Sequence, residues 1–148
     1  MEGRTECGTE QKTKDKQQAT SKPGTGERPR RRGDDIAERL LDVVECVRRL
    51  LPSLQLDSAS KHAAKQLWRA ATGGGSNYEE ARASESCADF LHKVRVATKE
   101  LRETLYWLRV LRRSDWLEPG AIDGLLDEVD QLIAILVVSA RTAKLREP

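Results

Sequence analysis

Apolar residues recur along this chain at steps of three and four, and the longest run of that pattern organises the reading of the rest. Between 84 and 113, Leu91, Val94, Thr98, Leu101, Leu105, Leu108 and Arg112 alternate such steps, flanked by Phe90, Ala97 and Leu111. The spacing predicts a helix of roughly eight turns, about 45 Å long, with one apolar seam. A seam that long needs neighbours along its whole length, which implies a bundle.

Three further segments carry the same period. Over 35–51, Ile36, Leu40, Val43, Val47 and Leu50 mark one face, widened by Leu41, Val44 and Leu51. Asp34 and Asp35 suit the start of that helix, Arg48 and Arg49 its last turn, and Pro52 stops it. Over 57–82, Asp57 or Ser58 caps a helix with Ala63, Ala64, Leu67, Trp68 and Ala71 on its apolar face. Gly73, Gly74 and Gly75 argue for an earlier stop, since each costs about 1 kcal/mol relative to Ala in a helix. Length argues against it. A helix ending at Thr72 spans about 22 Å, whereas one reaching Arg82 spans about 39 Å and covers its long neighbour. Glycines also let two backbones approach closely. The helix is therefore placed through them. Pro119 and Gly120 then mark a tight connection to a fourth helix over 121–145. Its apolar positions are Ile122, Leu125, Val129, Leu132, Ile133, Leu136, Val137, Ala140 and Ala143. Its polar face is acidic early and basic late, with Arg141, Lys144 and Arg146 complementing the helix dipole. Four amphipathic helices with short connections predict an all-α, antiparallel up-and-down four-helix bundle spanning 34–148.

Composition sharpens this picture at one end. Residues 1–33 hold nine Lys or Arg against five Asp or Glu, while the remainder holds seventeen against nineteen. That stretch has no Val, Leu, Ile or aromatic residue, so it buries too little to offset the entropy of ordering. It reads as a disordered basic tail whose Arg30, Arg31 and Arg32 suit nucleic-acid phosphates; the alternative is a simple solvated tail. The first thirty residues contain no apolar run of the signal-peptide kind, and no apolar run in the chain is long enough to span a bilayer. Three widely spaced cysteines, Cys7, Cys46 and Cys87, suit a reduced, cytoplasmic protein. Cys46 and Cys87 read as small core residues beside their seams.

Candidate chemistry is sparse. His62 and His92 are the only histidines, and no Cys or carboxylate stands at ligand spacing, so neither a metal nor a cofactor is expected. The three glycines lack the GxxxxGK[ST] pattern and a preceding strand, which argues against a phosphate loop. Asn77, Tyr78, Glu79 and Glu80 form a polar cluster, but adjacent carboxylates point to different faces and make a poor catalytic couple. Polar contacts between helices or subunits are the better reading. Trp107 lies off the seam and suits an oligomer interface. The most suggestive pattern is on the third helix. His92, Arg95, Lys99, Arg102, Tyr106, Arg109 and Arg113 step by three or four and share one face. Five cations and a tyrosine suit a phosphate backbone and a stacked base. The alternative is a solvated face paired with Glu103 and with acids of a neighbour.

The runs RAATGGGSNYEEARASESCADFLHKV and KELRETLYWLRVL resemble the four-helix bundle proteins encoded in intervening sequences of bacterial 23S ribosomal RNA genes. The resemblance covers about 34–144 and leaves out the tail. It implies a small cytosolic bundle that assembles as a homopentamer and has no known catalytic activity. The chain is similar also to the accessory protein of diversity-generating retroelements, which implies RNA or DNA and a reverse transcriptase as partner classes. The expectation is therefore a non-enzymatic oligomeric protein that contacts RNA or a ribonucleoprotein. A structural adaptor ring that docks another protein is the alternative.

Overall fold

The structure, a computed structural model, describes residues 29–146. The reading of 1–33 as a disordered tail falls, for residues 1–28, outside the described residues. Four helices follow one another: α1 (Asp34–Leu50), α2 (Ser58–Arg82), α3 (Cys87–Arg113) and α4 (Asp123–Leu145). One 3-10 turn, Leu51–Leu54, follows α1 and contains Pro52. Among the described residues there is no strand. The architecture is all-α, with consecutive helices antiparallel. α1 packs on α2 and α4, and no Cα of α1 comes within 8 Å of one in α3, so these two stand diagonally across the bundle.

Local chemistry accounts for the helix ends. Gly33 precedes α1 at φ 84, a left-handed conformation that favours glycine, and a Cβ there would also lie 2.6 Å from the Tyr78 hydroxyl. Asp57 caps α2: its carboxylate accepts from the Ser60 N–H at 2.7 Å, and the Asp57 N–H donates to the Ser60 hydroxyl at 2.9 Å. Ser86 caps α3 by accepting from the Asp89 N–H at 3.1 Å, so this helix begins three residues later than 84. α4 begins at Asp123 rather than 121, because Gly120 turns the chain at φ 81.

α2 is continuous through Gly73–Gly75, and the reason lies in its pairing with α3, the most extensive in the molecule. A Cβ on Gly74 would lie 2.9 Å from Leu101 Cδ2, and one on Gly73 would lie 3.0 Å from the Glu100 carboxyl carbon. The absent side chains let α3 come in close. The core is filled by Leu40, Val43 and Val47 of α1, Leu67 of α2, Val94, Leu101, Leu108 and Leu111 of α3, and Val129, Leu132 and Leu136 of α4. Leu54, from the 3-10 turn, closes one end.

Several expectations about the seams need correction. On α3 the buried line runs through Ala97, Thr104 and Leu111; Thr98 and Leu105 are half-buried, and Arg112 is exposed. The arithmetic of three and four allows either line. Thr104 can be buried because its hydroxyl donates to the Glu100 carbonyl at 2.9 Å. On α1, Leu41 is 59% exposed and Cys46 is exposed, because the buried face is the narrow line Ala37, Leu40, Val43, Val47. Cys87 is half-buried, with Sγ 3.7 Å from the Ala143 carbonyl. Trp68 is 37% exposed rather than a core residue.

Candidate nucleic-acid interface

The stripe predicted on α3 is a surface feature from end to end. His92, Arg95, Lys99, Arg102, Tyr106, Arg109 and Arg113 are all exposed. The buried line of α3 lies on roughly the opposite side, so packing fixes the helix while leaving these side chains in water. From His92 to Arg113 the stripe runs about 32 Å along the helix axis.

The nearby acids are already engaged. Glu103 pairs with Arg69 of α2, accepts from the Trp107 indole N–H at 3.5 Å, and is held below its ordinary range mainly by the Arg69 hydrogen bond. Glu100 lies 3.5 Å from the same guanidinium. Among the described residues, none of Arg95, Lys99, Arg102, Arg109 or Arg113 takes part in an ion pair. The pairing with Glu103 that the alternative reading supposed is not made, because Arg69 of α2 supplies the cation for Glu103. An unneutralised row of cations is what a polyanion can use, since binding then breaks no internal pair.

Tyr106 is 58% exposed and packs edge-on against Trp107, with ring centroids 5.1 Å apart at 77°. Trp107 is half-buried and also meets His62 of α2 edge-on at 5.7 Å. Trp107 is thus held between rings of its own chain, with Tyr106 on its outer side.

The remaining candidates are placed as follows. Arg30, Arg31 and Arg32 are exposed at the approach to α1, with the Arg31 N–H donating to Asp34 Oδ2 at 2.5 Å. They lie by the α1 N-terminus and the α2–α3 connection, where Arg31 and Arg32 line a broad cleft with Tyr78, Arg82 and Phe90. Within the polar cluster, Tyr78 is buried and its hydroxyl donates to the Gly33 carbonyl at 3.5 Å; Glu80 pairs with Lys93 across α2 and α3. Asn77 donates instead to the Gly73 carbonyl of its own helix at 2.9 Å, and Glu79 pairs with Arg82 at 2.9 Å. Arg82 also reaches Asp34 of α1.

Sequence reasoning missed one part of this surface. Arg141 and Lys144 of α4 stand beside Arg95 and Lys99 around a groove floored by Thr98, Val137 and Ala140. Along the chain they read only as complements to the α4 dipole; the α3–α4 register makes them part of a four-cation group. Among the described residues, no group of three or more His, Cys, Asp or Glu is arranged to hold a metal ion. Nor, among them, is any helix long and apolar enough to cross a membrane.

Comparison with known proteins places this geometry. The model of the 23S rRNA-intervening sequence protein family matches residues 35–138, from the first turn of α1 into the last part of α4. The chain belongs to that family. A crystal structure of a protein of unknown function from the S23 ribosomal protein family of Bacteroides thetaiotaomicron VPI-5482 superimposes with a TM-score of 0.66 at 26% identity. It covers 71% of this chain and 97% of its own. No curated protein matches this chain. The family is one of unknown function, so the α3 surface rests on its own geometry.

Proposed function

We propose that this protein is a non-enzymatic, cytoplasmic RNA-binding protein that grips phosphates with the α3 stripe and acts as a homo-oligomer, a pentamer by family resemblance. The observation that carries the reading is the state of the stripe: five exposed cations without an acidic partner among the described residues, while Arg69 occupies Glu103. Arg102, Arg109 and Arg113 supply phosphate contacts, and Tyr106 offers a face for one unpaired base, a contact worth about 1–3 kcal/mol in comparable settings. Several copies of the stripe on one body add their fields and lower the affinity each copy must supply alone. RNA is the chosen polyanion because the exposed Tyr106 ring among the cations suits an unpaired base, which structured RNA presents in its loops and bulges. A binding role also suits the titratable groups. The displaced carboxyls are shifted by ion pairs or backbone caps, as Glu45 is to about 2 by Arg48 and then Arg49, and none forms an acid–base couple in a cleft.

The test is equilibrium binding to a structured RNA and to DNA of equal length at low salt, with Arg102→Ala plus Arg109→Ala alongside. The proposal expects RNA binding that the double variant strongly weakens. Binding that the variant leaves unweakened, or none by the wild type, overturns it and favours the reading as an adaptor for another protein.

A further inference from the structure

Two patches on opposite sides of the bundle lack partners, and they complement each other. The first is the groove of about 380 Å³ between α3 and α4, with Thr98, Val137 and Ala140 as its floor. Arg95, Lys99, Arg141 and Lys144 form its rim, and none of the four is ion-paired among the described residues. No acid lines it. Four like charges around an apolar floor repel one another until an acidic surface covers them.

The second is the outer face of α1. Asp35, Glu38 and Asp42 are exposed, share one side of the helix, and take part in no ion pair among the described residues. At the edge of this face stands Leu41, 59% exposed, for which the single chain offers no burial. Asp123, Asp127 and Asp130 of α4 form another exposed acidic row, but its exposed apolar residue, Val138, stands about two turns beyond the last acid, whereas Leu41 lies between Glu38 and Asp42. α1 and α3 stand diagonally across the bundle and the acidic side of α1 faces away from the core, so it cannot reach the groove of its own chain.

We infer that α1 of one copy docks in the α3–α4 groove of another, Leu41 on the floor and Glu38 and Asp42 against the rim cations. This is a helix laid in a groove, with an apolar anchor and charges that set its register. The inference rests on the self-assembly proposed above and names its surfaces. Because the two patches differ, the contact is head-to-tail: every copy offers one of each, and the chain of contacts ends only when a ring closes. The stripe is thereby divided. Arg95 and Lys99 pass under the interface, and Arg102, Tyr106, Arg109 and Arg113 stay open to RNA.

The experiment is the mass in solution, by sedimentation velocity and light scattering, of charge-swapped full-length chains whose helical content is checked by circular dichroism. Glu38→Arg with Asp42→Arg should give a smaller species, as should Arg141→Glu with Lys144→Glu. All four substitutions in one chain should restore the wild-type mass. Leu41→Ser should weaken assembly roughly tenfold or more through lost apolar burial. Arg102→Ala plus Arg109→Ala lies outside the groove and should keep the wild-type mass whether or not RNA binding is lost. If each charge pair keeps the wild-type mass, the interface lies elsewhere and only this inference falls. If both pairs dissociate but the fourfold variant does not reassemble, the patches are not each other's partners. A wild type that is monomeric throughout overturns both the inference and the self-assembly on which it rests.

Discussion

Replacing Gly74 and Gly75 separately by alanine should move stability in opposite directions, although the two are neighbours in one helix. Alanine gains about 1 kcal/mol over glycine in a helix interior, and this applies equally at both positions. The surroundings differ. A Cβ on Gly75 meets only Leu40 Cβ at 4.0 Å, an ordinary contact, so Gly75→Ala should keep most of the gain. A Cβ on Gly74 would stand 2.9 Å from Leu101 Cδ2 and 3.1 Å from Cγ, and Leu101 is fully buried, so it has nowhere to turn. Overpacking of that kind costs about 1–3 kcal/mol, which outweighs the helix gain. The two variants should differ by about 2 kcal/mol, or about 8 °C in Tm for a domain of this size. Thermal and urea unfolding followed by circular dichroism at 222 nm read the difference. Adding Leu101→Ala removes the obstructing carbons, so Gly74→Ala should become stabilising in that background. Equal stabilisation by both alanines would refute the close α2–α3 approach.

Two further predictions concern the frame. The Ser60 hydroxyl is buried and bonds the Leu56 and Asp57 N–H groups at 3.2 and 2.9 Å, so Ser60→Ala should cost about 1 kcal/mol in urea unfolding, while exposed Ser58→Ala should change little. Arg39 binds Glu128 through Nε at 2.7 Å and Nη2 at 3.1 Å, and that hydrogen bond, ahead of the nearby charge, lowers the Glu128 pKa. A lowered carboxyl stabilises the fold above its unfolded pKa of about 4.3, and the contribution fades as pH falls through the lower folded value. Glu128→Gln should therefore be less stable than wild type by up to about 1 kcal/mol at pH 7, with the gap closing below about pH 4. A gap that is constant with pH would contradict the assignment.

How much of this was legible along the chain depends on what each feature needs. The four helices were, because their periods and their stops, such as Pro52 and Gly120, are local signals. Continuity through Gly73–Gly75 was legible only by comparing lengths, since the local signal of three glycines points the other way. The phase of the α3 seam was not: Thr98 and Thr104 are chemically alike, and which one is buried depends on how α2 and α4 grip the helix. Cys46 and Leu41 mislead for a related reason, in that α1 presents a narrower face to the bundle than its apolar residues suggest. The exposed stripe was legible from its steps of three and four. Its freedom from Glu103 was not, because the competing cation, Arg69, lies 34 residues away. The groove cations Arg141 and Lys144 join Arg95 and Lys99 only through the α3–α4 register, which no stretch of sequence states.

The central claim is that α3 holds phosphates with cations that nothing inside the protein neutralises, and the slope of RNA affinity against salt tests it most directly. With log Kd plotted against log salt for one structured RNA, each phosphate neutralised contributes about 0.7–0.9 to the slope. Removing Arg102 and Arg109 together should therefore flatten the line by about 1.4–1.8 as well as weaken binding. An unchanged slope in the double variant, or an affinity that does not depend on salt, would contradict the account.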